Sequence, residues 1–397
     1  MSYRIDLKSL IQTNNANSHI FLNDNIHIIL SMTWEQTICG KIIYGPDAEV
    51  IEGYIVVEDG IIKEVHEKKT GSQIIIAPCF VNAHTHIGDS VCKDPALGET
   101  VGHYVKRDLS QLVKPPNGLK HRILRSTTHK KMVEAMKSSI CDMNYTGTCA
   151  FADFREGGVD GANTLKEALD TSDIEGKIFA RPLQTERADK LSNELDALLA
   201  VADGLGMSGA NDMDMGILET ARYHASKHDA TFAIHSGEND RSDIDKALSL
   251  DPNILIHMTH ALENDLSRVA DNDIPIVVCP RSNFITGVGM PPIRKMLDEE
   301  IKVGVGTDNV MLNSANMFSE MEILSKVFGI DDRQVFMMCT LMGATILGLE
   351  NTGSILEGNK AKIMIINGNS NNLTGIRETV SGIVRRARPD DILSVMI

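Results

Sequence analysis

Residues 74–305 alternate short apolar runs with segments of helical pattern, and this alternation limits the folds open to the chain. Strands that alternate with helices usually pair into a parallel sheet. Eight apolar runs of strand length favour a closed (β/α)8, TIM-like α/β barrel over an open doubly wound sheet. The predicted barrel strands are residues 74–81, 148–152, 177–180, 213–218, 231–234, 254–256, 274–279 and 301–305.

The two ends of the chain have a different pattern. Residues 38–44, 49–57 and 61–65 alternate β-branched and polar residues around a glycine turn, which is typical of a small antiparallel sheet. The strand-like residues 362–366 share this character. We therefore expect residues 37–70 and 353–397 to form a composite β-sandwich domain beside a barrel of residues 71–352. Residues 1–36 form an N-terminal extension without a clear period, and Met32 is an alternative start.

Charge and cysteine usage narrow the class of protein. The formal net charge is -15, and no basic block is longer than Arg385 and Arg386, which argues against nucleic acid or an anionic membrane as a partner. The seven cysteines contain no Cys-x-x-Cys pair, and no apolar run reaches the ~18 residues of a membrane helix. We expect a cytoplasmic protein that acts on a small molecule.

Metal-competent and acid-base side chains lie at the ends of four predicted strands. Alternate residues of a strand point to the same face, so the two histidines of His84-Thr85-His86 point the same way. Barrel enzymes carry their chemistry at the carboxyl ends of their strands, where these side chains would meet. The candidates are His84, His86, His235, Glu238, His257 and Asp308.

Three imidazoles and one carboxylate are a suitable ligand set for zinc or iron(II) with one open position. A water bound to such an ion can have a pKa near ~7 and become a hydroxide nucleophile. Glu238 can then carry protons to the substrate, and Asp308 can act as base for the water. No glycine fingerprint follows a predicted strand, and the His-x-Glu and Pro-Cys-x-x-Cys signature of the small cytidine deaminases is absent.

Several motifs together resemble the amidohydrolase superfamily, in its mononuclear-metal deaminase and chlorohydrolase branch. That branch includes guanine and cytosine deaminases and the adenosylhomocysteine and methylthioadenosine deaminases. The resemblance runs from about residue 40 to residue 368. The motifs are Pro78-Cys79-Phe80-Val81-Asn82-Ala83-His84-Thr85-His86, His235-Ser236-Gly237-Glu238, His257, Pro280-Arg281-Ser282-Asn283, Gly306-Thr307-Asp308 and Gly353-Ser354-Ile355-Leu356-Glu357-Gly358.

The resemblance implies a role for each candidate. Glu238 would protonate a ring nitrogen of the substrate, and His257 would orient and polarise the attacking hydroxide. Asp308 would take a proton from the water and later help ammonia to leave. One divalent ion is implied, zinc with iron(II) as the alternative, and superfamily members are often homo-oligomers. The metal ligands that the resemblance implies are His84, His86, His235 and Asp308.

Two alternatives within the site are weighed on the same basis. Binuclear superfamily members need a carboxylated lysine at the end of the fourth strand, and residues 213–220 contain none, which favours one metal. His260 competes with His257, but the branch pattern places the catalytic imidazole first in this segment and so selects His257.

The pocket residues depart from the branch pattern. Ile87-Gly88-Asp89-Ser90 follows His86 where many members have a Met-rich segment and an Arg-Gly, so substrate identity does not carry over. Candidate substrate contacts are Asp89, Ser282 and Asn283, each with a loop-capping alternative. Cations that can meet an anionic group, although such charges are usually solvated, are Lys106, Arg107, Lys114, Lys120 and Arg122. Phe151 and Phe154 can stack on a flat ring, although core packing is more common.

We expect hydrolytic deamination of an aminated heterocycle, such as a purine, a pyrimidine or a related ring. A cyclic amidase or a chlorohydrolase on the same metal platform is the alternative. A barrel kept only for binding or scaffolding is a remote alternative, because Glu238, His257 and Asp308 are all present.

Overall fold

The computed structural model describes residues 35–95, 98–100, 103–105, 109–113, 117–183 and 188–397. Most of the predicted N-terminal extension, with Met32, lies outside these residues, as do the three cations Lys106, Arg107 and Lys114. Within the described residues, no helix combines the length and the apolar character needed to cross a membrane.

The strands follow one another in this order: β1 (Glu35–Tyr44), β2 (Glu49–Glu58), β3 (Ile61–Glu67), β4 (Ile74–Pro78), β5 (Phe80–His86), β6 (Gly98–Thr100), β7 (His103–Val105), β8 (Thr148–Arg155), β9 (Glu175–Ala180), β10 (Gly204–Met207), β11 (Thr231–Ser236), β12 (Ile254–His257), β13 (Ile276–Val278), β14 (Val303–Val305), β15 (Asp308–Asn309), β16 (Ile363–Asn367) and β17 (Ile392–Met396).

The α-helices are α1 (Leu109–Leu112), α2 (Leu119–Ser126), α3 (His129–Tyr145), α4 (Gly158–Leu169), α5 (Ala188–Leu199), α6 (Met215–Lys227), α7 (Ile244–Ser249), α8 (Glu263–Asp271), α9 (Pro280–Thr286), α10 (Ile293–Asp298), α11 (Met317–Lys326), α12 (Asp332–Met338), α13 (Leu341–Ile346) and α14 (Thr379–Arg386). Short 3-10 helices cover Ile87–Cys92 and Pro389–Asp391.

A curled parallel sheet of nine strands carries the centre of the molecule. Its order is β14-β13-β12-β11-β10-β9-β8-β5-β15, and all of its strand pairs are parallel. The two strands at its edges, β14 and β15, are separated in the chain by only Gly306 and Thr307. β14 and β15 are therefore consecutive in the chain but lie at opposite edges of the sheet. The parallel strands between them have their carboxyl ends on one side of the sheet.

The fourth predicted barrel strand is wrong. Residues 213–218 contain the start of helix α6, whose N-cap Asp214 accepts a hydrogen bond from the backbone N–H of Gly216. The strand in this place is β10, a Gly-Leu-Gly-Met segment of low β-propensity. Packing explains its composition, because a Cβ on Gly206 would lie 2.6 Å from Cδ1 of Phe154.

The first predicted barrel strand, residues 74–81, also needs correction, because it spans two strands in two different sheets. β4 pairs with β1 and β16, whereas β5 pairs with β8 and β15. The break falls at Cys79, whose N–H donates to the carbonyl of Lys362 at 3.0 Å. His84 and His86 keep their predicted places at the carboxyl end of β5.

The two chain ends share a second sheet of six strands, in the order β17-β16-β4-β1-β2-β3. Most of its pairs are antiparallel, as predicted, but β1 and β4 run parallel. A small apolar core of this sheet includes Ile42, Ile55 and Ile363. The described residues thus place the strands of both ends in one sheet, and its arrangement as a two-layer sandwich stays a prediction, as do the domain boundaries.

Candidate metal centre

Four imidazoles converge at the carboxyl ends of the parallel strands. His84 and His86 belong to β5, His235 to β11, and His257 ends β12; all four are buried. Ring centroids are 5.0 Å apart for His84 and His86, 4.9 Å for His84 and His235, and 5.4 Å for His235 and His257. The structure thus brings together side chains that lie up to 173 residues apart, between His84 and His257.

Asp308 completes the cluster from the start of β15. Its Oδ1 lies 3.3 Å from Nε2 of His84 and 3.6 Å from Nε2 of His86. Its Oδ2 accepts a hydrogen bond from the hydroxyl of Ser282 at 2.5 Å. Two sets of three ligand atoms, each set within 4.8 Å, share His84: one adds His86 and Asp308, and the other adds His235 and His257.

Hydrogen bonds to the backbone decide which imidazole nitrogens face a metal. Nδ1 of His86 lies 3.0 Å from the carbonyl of Phe154, and Nδ1 of His235 lies 2.7 Å from the carbonyl of Met207. This leaves Nε2 of each ring as the ligand atom. Both ring nitrogens of His84 are buried without a hydrogen-bond partner. A buried polar atom without a partner is costly, and a cation at Nε2 would give that nitrogen a partner.

The charge states suit a divalent cation. Burial lowers the pKa of His84 and of His235, and it lowers the pKa of His86 to about 3 with a further contribution from Lys120. Neutral imidazoles have a free lone pair and lose no proton on binding a metal. Burial alone would raise the pKa of Asp308, but the adjacent imidazole of His84, followed by those of His257 and His86, holds it well below its usual range. The donor set therefore fits a divalent metal ion.

No lysine follows the observed fourth strand. β10 ends at Met207, and Ser208 and Gly209 come next. Residues 213–220, where the sequence predicted this strand end, contain no lysine either, so neither segment offers a carboxylated lysine to a second ion.

Glu238 lies beside this cluster, and its pKa is shifted in the opposite direction to that of Asp308. Its Oε1 lies 3.6 Å from Nε2 of His257. Burial raises the pKa of Glu238 to about 7, with further increases from Asp308 and other acids, although His257 opposes the shift. Two carboxyl groups whose pKa values are pushed apart by their surroundings are typical of a proton donor and a proton acceptor.

The backbone is unusual at two of the candidate residues. His257 has φ of 75° and Asp308 has φ of 58°, and Met258, which follows His257, has φ of 50°. The left-handed region is uncommon for residues other than glycine and costs about 1–3 kcal/mol at each such position. Such strain persists where the surrounding structure over-determines it, and it concentrates at functional sites.

A cavity of about 270 Å³ opens onto the cluster, a volume near the lower end for small-molecule sites. Six of the nine predicted site residues line it: His86, His235, Glu238, His257, Ser282 and Asp308. His84 is fully buried behind them. Asp89 and Asn283 are not part of the lining. Asn283 donates to the hydroxyl of Thr259 at 2.8 Å, and Asp89 accepts from Asn309 at 2.7 Å.

Sequence reasoning missed Glu156 in the cavity wall, and it did not foresee that Lys120 is buried there. Oε1 of Glu156 lies 3.3 Å from Nδ1 of His86 and 2.6 Å from Nζ of Lys120. One signal was available for Glu156, because Arg155-Glu156 is a charged pair at the carboxyl end of the second barrel strand, where barrel enzymes place their chemistry.

The two phenylalanines near this strand end have packing roles. Phe154 lies edge-on to His84, with ring centroids 4.4 Å apart, and to His235, at 5.1 Å. Phe151 is fully buried, and neither ring lines the cavity. His260, the competitor of His257, is outside the lining as well.

Comparison of the sequence with known proteins gives consistent matches over most of the chain. The sequence model of the amidohydrolase family matches residues 75–397. An uncharacterised protein of Methanocaldococcus jannaschii is 33% identical over 377 residues, which cover 89% of this chain and 95% of that protein. A 5-methylthioadenosine/S-adenosylhomocysteine deaminase of Thermococcus kodakarensis is 24% identical over 404 residues, covering 90% and 91% of the two chains.

Solved structures share the fold at lower identity. A zinc-bound adenosine deaminase from Xanthomonas campestris superposes with a TM-score of 0.75 at 18% identity and covers 90% of each chain. The zinc complex of atrazine chlorohydrolase from Arthrobacter aurescens superposes with a TM-score of 0.77 at 16% identity, covering 91% of this chain and 93% of the other. At these identities the likenesses concern the fold alone.

Proposed function

The chain belongs to the amidohydrolase family, and from this premise we propose that it is a metal-dependent hydrolase that deaminates an aminated heterocycle. The observation that carries the proposal is the placement of Glu238 beside His257 and Asp308, because hydrolytic deamination needs one group that gives a proton and another that takes one. The similarity to a relative named as a deaminase supports the same reaction class.

One divalent ion would be held by His84, His86, His235 and Asp308. We infer zinc, because imidazole nitrogens and a carboxylate oxygen are common zinc ligands and because structures of the same fold contain zinc. When bound, such an ion lowers the pKa of a water molecule towards ~7 and so supplies a nucleophile at neutral pH.

The residues around the ion would divide the proton transfers. Asp308 is ionised and takes a proton from the attacking water. Glu238 carries a proton near neutral pH and gives it to a ring nitrogen of the substrate. His257 polarises the attacking oxygen from the cavity wall. A carbon–oxygen bond forms, Asp308 passes its proton to the amino group, and the carbon–nitrogen bond breaks as ammonia leaves. The proton of the new hydroxyl returns to Glu238, so that water and amine become carbonyl and ammonia and both carboxyl groups regain their starting charge.

Ser282 acts on the reaction through Asp308 in this proposal. Its hydroxyl is already committed to Oδ2 of Asp308, so it orients the carboxylate and leaves Oδ1 towards His84 and His86. Asn283 is a positioning residue one step further away, because its amide holds Thr259 in the segment after β12.

We also infer that β14 and β15 are two halves of an eighth strand that closes the parallel sheet into a (β/α)8 barrel. Their separation by two residues, their pairing with β13 and β5 respectively, and the likeness to amidohydrolase folds support closure. The composite domain of residues 37–70 and 353–397 beside a barrel of residues 71–352 remains part of this proposal.

Ammonia release tests the function. The purified protein is assayed after metal analysis against aminopurines, aminopyrimidines, adenosine derivatives and pterins, and again after removal of the metal by a chelator and its restoration. We expect release from at least one compound, loss on chelation and recovery with zinc. No ammonia release from any compound, with the metal bound, would contradict deamination. Release of chloride from a halogenated ring, or opening of a cyclic amide, would then assign one of the alternative reactions.

A further inference from the structure

The wall of the cavity contains a buried lysine that the proposed reaction does not use. Lys120 lies in the first turn of α2, which packs on the 3-10 helix Ile87–Cys92 that follows β5. Its side chain is 4% exposed, yet it lines the cavity together with His86 and Glu156. A buried ammonium is costly unless it is paired, so this position requires an explanation.

Two carboxylates hold the ammonium in place. Nζ of Lys120 lies 2.6 Å from Oε1 of Glu156 and 2.9 Å from Oδ2 of Asp89. Each carboxylate is fixed in turn: Asp89 accepts from Asn309 at 2.7 Å, and Glu156 accepts from Arg155 at 2.8 Å. A lysine ammonium has three N–H donors, so two point at carboxylates and one remains for the cavity.

The lysine serves as a donor in this setting. Burial alone would lower the pKa of Lys120, but the carboxylates of Asp89 and Glu156 outweigh burial and raise it. The ammonium therefore keeps its proton at neutral pH and cannot act as a base. The firm placement between two anchored acceptors directs the remaining N–H at a ligand with little loss of side-chain entropy.

The charges around Lys120 select a neutral acceptor. The carboxyl groups of Asp89, Asp153 and Glu156 already surround the cations Lys120 and Arg155, so the pair leaves no unmatched positive charge. Of the six carboxyl groups in the described lining, Glu238 holds a proton and Asp308 would face the metal, which leaves four carboxylates against the two cations Lys120 and Arg181. A full negative charge on the ligand would be disfavoured by this excess of carboxylates. A carbonyl oxygen accepts a hydrogen bond from the ammonium without bringing a charge.

We propose that Lys120 donates a hydrogen bond to a ring carbonyl oxygen of the substrate, so that the enzyme acts on aminated heterocycles that also carry an oxo group. This inference rests on the proposed deaminase function and adds the substrate class to it. Lys120 is in this view a specificity-determining residue, because a site built to bind an oxo group rejects the analogue that lacks it.

Matched substrates test the proposal. Three pairs differ by one ring carbonyl: cytosine and 4-aminopyrimidine, isoguanine and adenine, guanine and 2-aminopurine. Ammonia release gives kcat/KM for both members of each pair, and the ratio is then compared between the wild type and Lys120→Met. The comparison of ratios cancels the intrinsic reactivity of each ring. We expect the preference for the oxo member to fall by about 10- to 100-fold in at least one pair, as for the loss of a charge-assisted hydrogen bond.

Controls separate binding from structure. A purely structural role of Lys120 would lower both members of a pair equally and leave the ratio unchanged, which would overturn the proposal. Arg122→Met removes an exposed cation from the same helix and should leave the ratio as in the wild type. If Lys120→Met does not fold, Lys120→Met/Asp89→Asn, which removes one charge of each sign, replaces it in the same comparison.

The remaining outcomes separate a failure of the Lys120 proposal from a failure of the proposed deaminase function. A fourth pair, cytosine with and without a 5-carboxylate, tests an anionic substituent as the source of the acceptor oxygen. If the preference for the 5-carboxylate compound depends on Lys120, the assignment of a ring carbonyl as the acceptor is overturned. Ammonia released only from compounds without an oxo group would keep the deaminase function and overturn the role of Lys120. No ammonia from any compound would refute both.

Discussion

Replacing Glu156 by glutamine removes the charge at the centre of the buried network while keeping the size of the side chain. In the wild type, Oε1 of Glu156 serves Lys120 at 2.6 Å and faces His86 at 3.3 Å, and Oε2 accepts from Arg155 at 2.8 Å. A glutamine offers one oxygen instead of two and turns its amide donors towards a cation. The side chains of Lys120 and Arg155 are only 4% and 2% exposed, so water replaces the lost carboxylate oxygen only in part.

The expected loss of stability follows from this burial. Removing one partner of a buried ion pair costs roughly 3–5 kcal/mol of stability. Because glutamine keeps one oxygen, we expect Glu156→Gln to lose about 3 kcal/mol. The unfolding entropy of a chain of 397 residues is about 0.8 kcal/mol per degree, so Tm should fall by about 4 °C. Nδ1 of His86 keeps the carbonyl of Phe154 but loses a nearby carboxylate charge, which should weaken metal binding by up to about 10-fold.

Thermal unfolding of the chelator-treated protein measures the first effect apart from the second. The matched control is Glu167→Gln, whose carboxylate also faces an imidazole, at 2.8 Å from His129, but is 54% exposed. This surface pair should contribute less than about 1 kcal/mol. A Tm of Glu156→Gln within 1 °C of this control would refute the argument from burial.

The same comparison has a predictable pH dependence. Burial alone would raise the pKa of Glu156, but Lys120, His86 and Arg155 hold it well below its usual range. A depressed carboxyl pKa contributes stability that is fully present above the unfolded pKa and is lost as the pH falls through the folded pKa. The difference in Tm between wild type and Glu156→Gln should therefore be constant above about 4.5 and shrink at lower pH.

Three further predictions concern single residues. Because Glu238 must be protonated to donate and its pKa is raised to about 7, kcat should fall as the pH rises above about 7; a rate that stays flat to pH ~9 would contradict its role. His235→Ala removes a ring that is anchored on Met207, so the metal content after dialysis should drop below about half an ion per chain; a fully metallated variant would show that the ligand is misassigned. Gly88→Ala should lower stability by about 1–3 kcal/mol in thermal unfolding, because the new Cβ would lie 2.1 Å from Nη1 of the buried Arg155; an unchanged Tm would show that the guanidinium moves aside freely.

The placement of the candidate residues was largely readable from the sequence, because each lies at or close to the end of an apolar strand, whereas their chemical roles stay a prediction. His84 and His86 end one strand, and His257 ends another, so strand periodicity alone predicts that they converge. Asp308 and Glu238 were added by their spacing from strand ends and by the resemblance to a known family. The structure brings all of these residues together around one cavity.

The fourth strand shows where propensity fails. Residues 213–218 are a mostly apolar run of strand length, yet the N-cap at Asp214 starts a helix. The real strand, β10, contains Gly204 and Gly206, and at Gly206 the ring of Phe154 leaves no room for a side chain. Tertiary packing thus overrides local preference, and a single sequence does not reveal which aromatic ring will lie against which glycine.

The Lys120 network was equally out of reach. Lys120, Asp89 and Glu156 come from three separate segments, and nothing in the spacing of these charges distinguishes them from a solvated surface. Only the packing of α2 against the 3-10 helix after β5 buries the lysine and gives it two carboxylate partners. Long-range ion pairs of this kind depend on how α2 packs on the 3-10 helix, and periodicity does not reveal that packing.

The central claim is that one metal ion and a separate proton donor, Glu238, carry out hydrolytic deamination. The most direct test measures the metal content and the rate of ammonia release on the same preparations of wild type and Glu238→Gln, with the best substrate of the panel. We expect equal metal content in both proteins and a rate at least about 100-fold lower in the variant. Equal rates, or a loss of metal together with the loss of rate, would contradict the central claim.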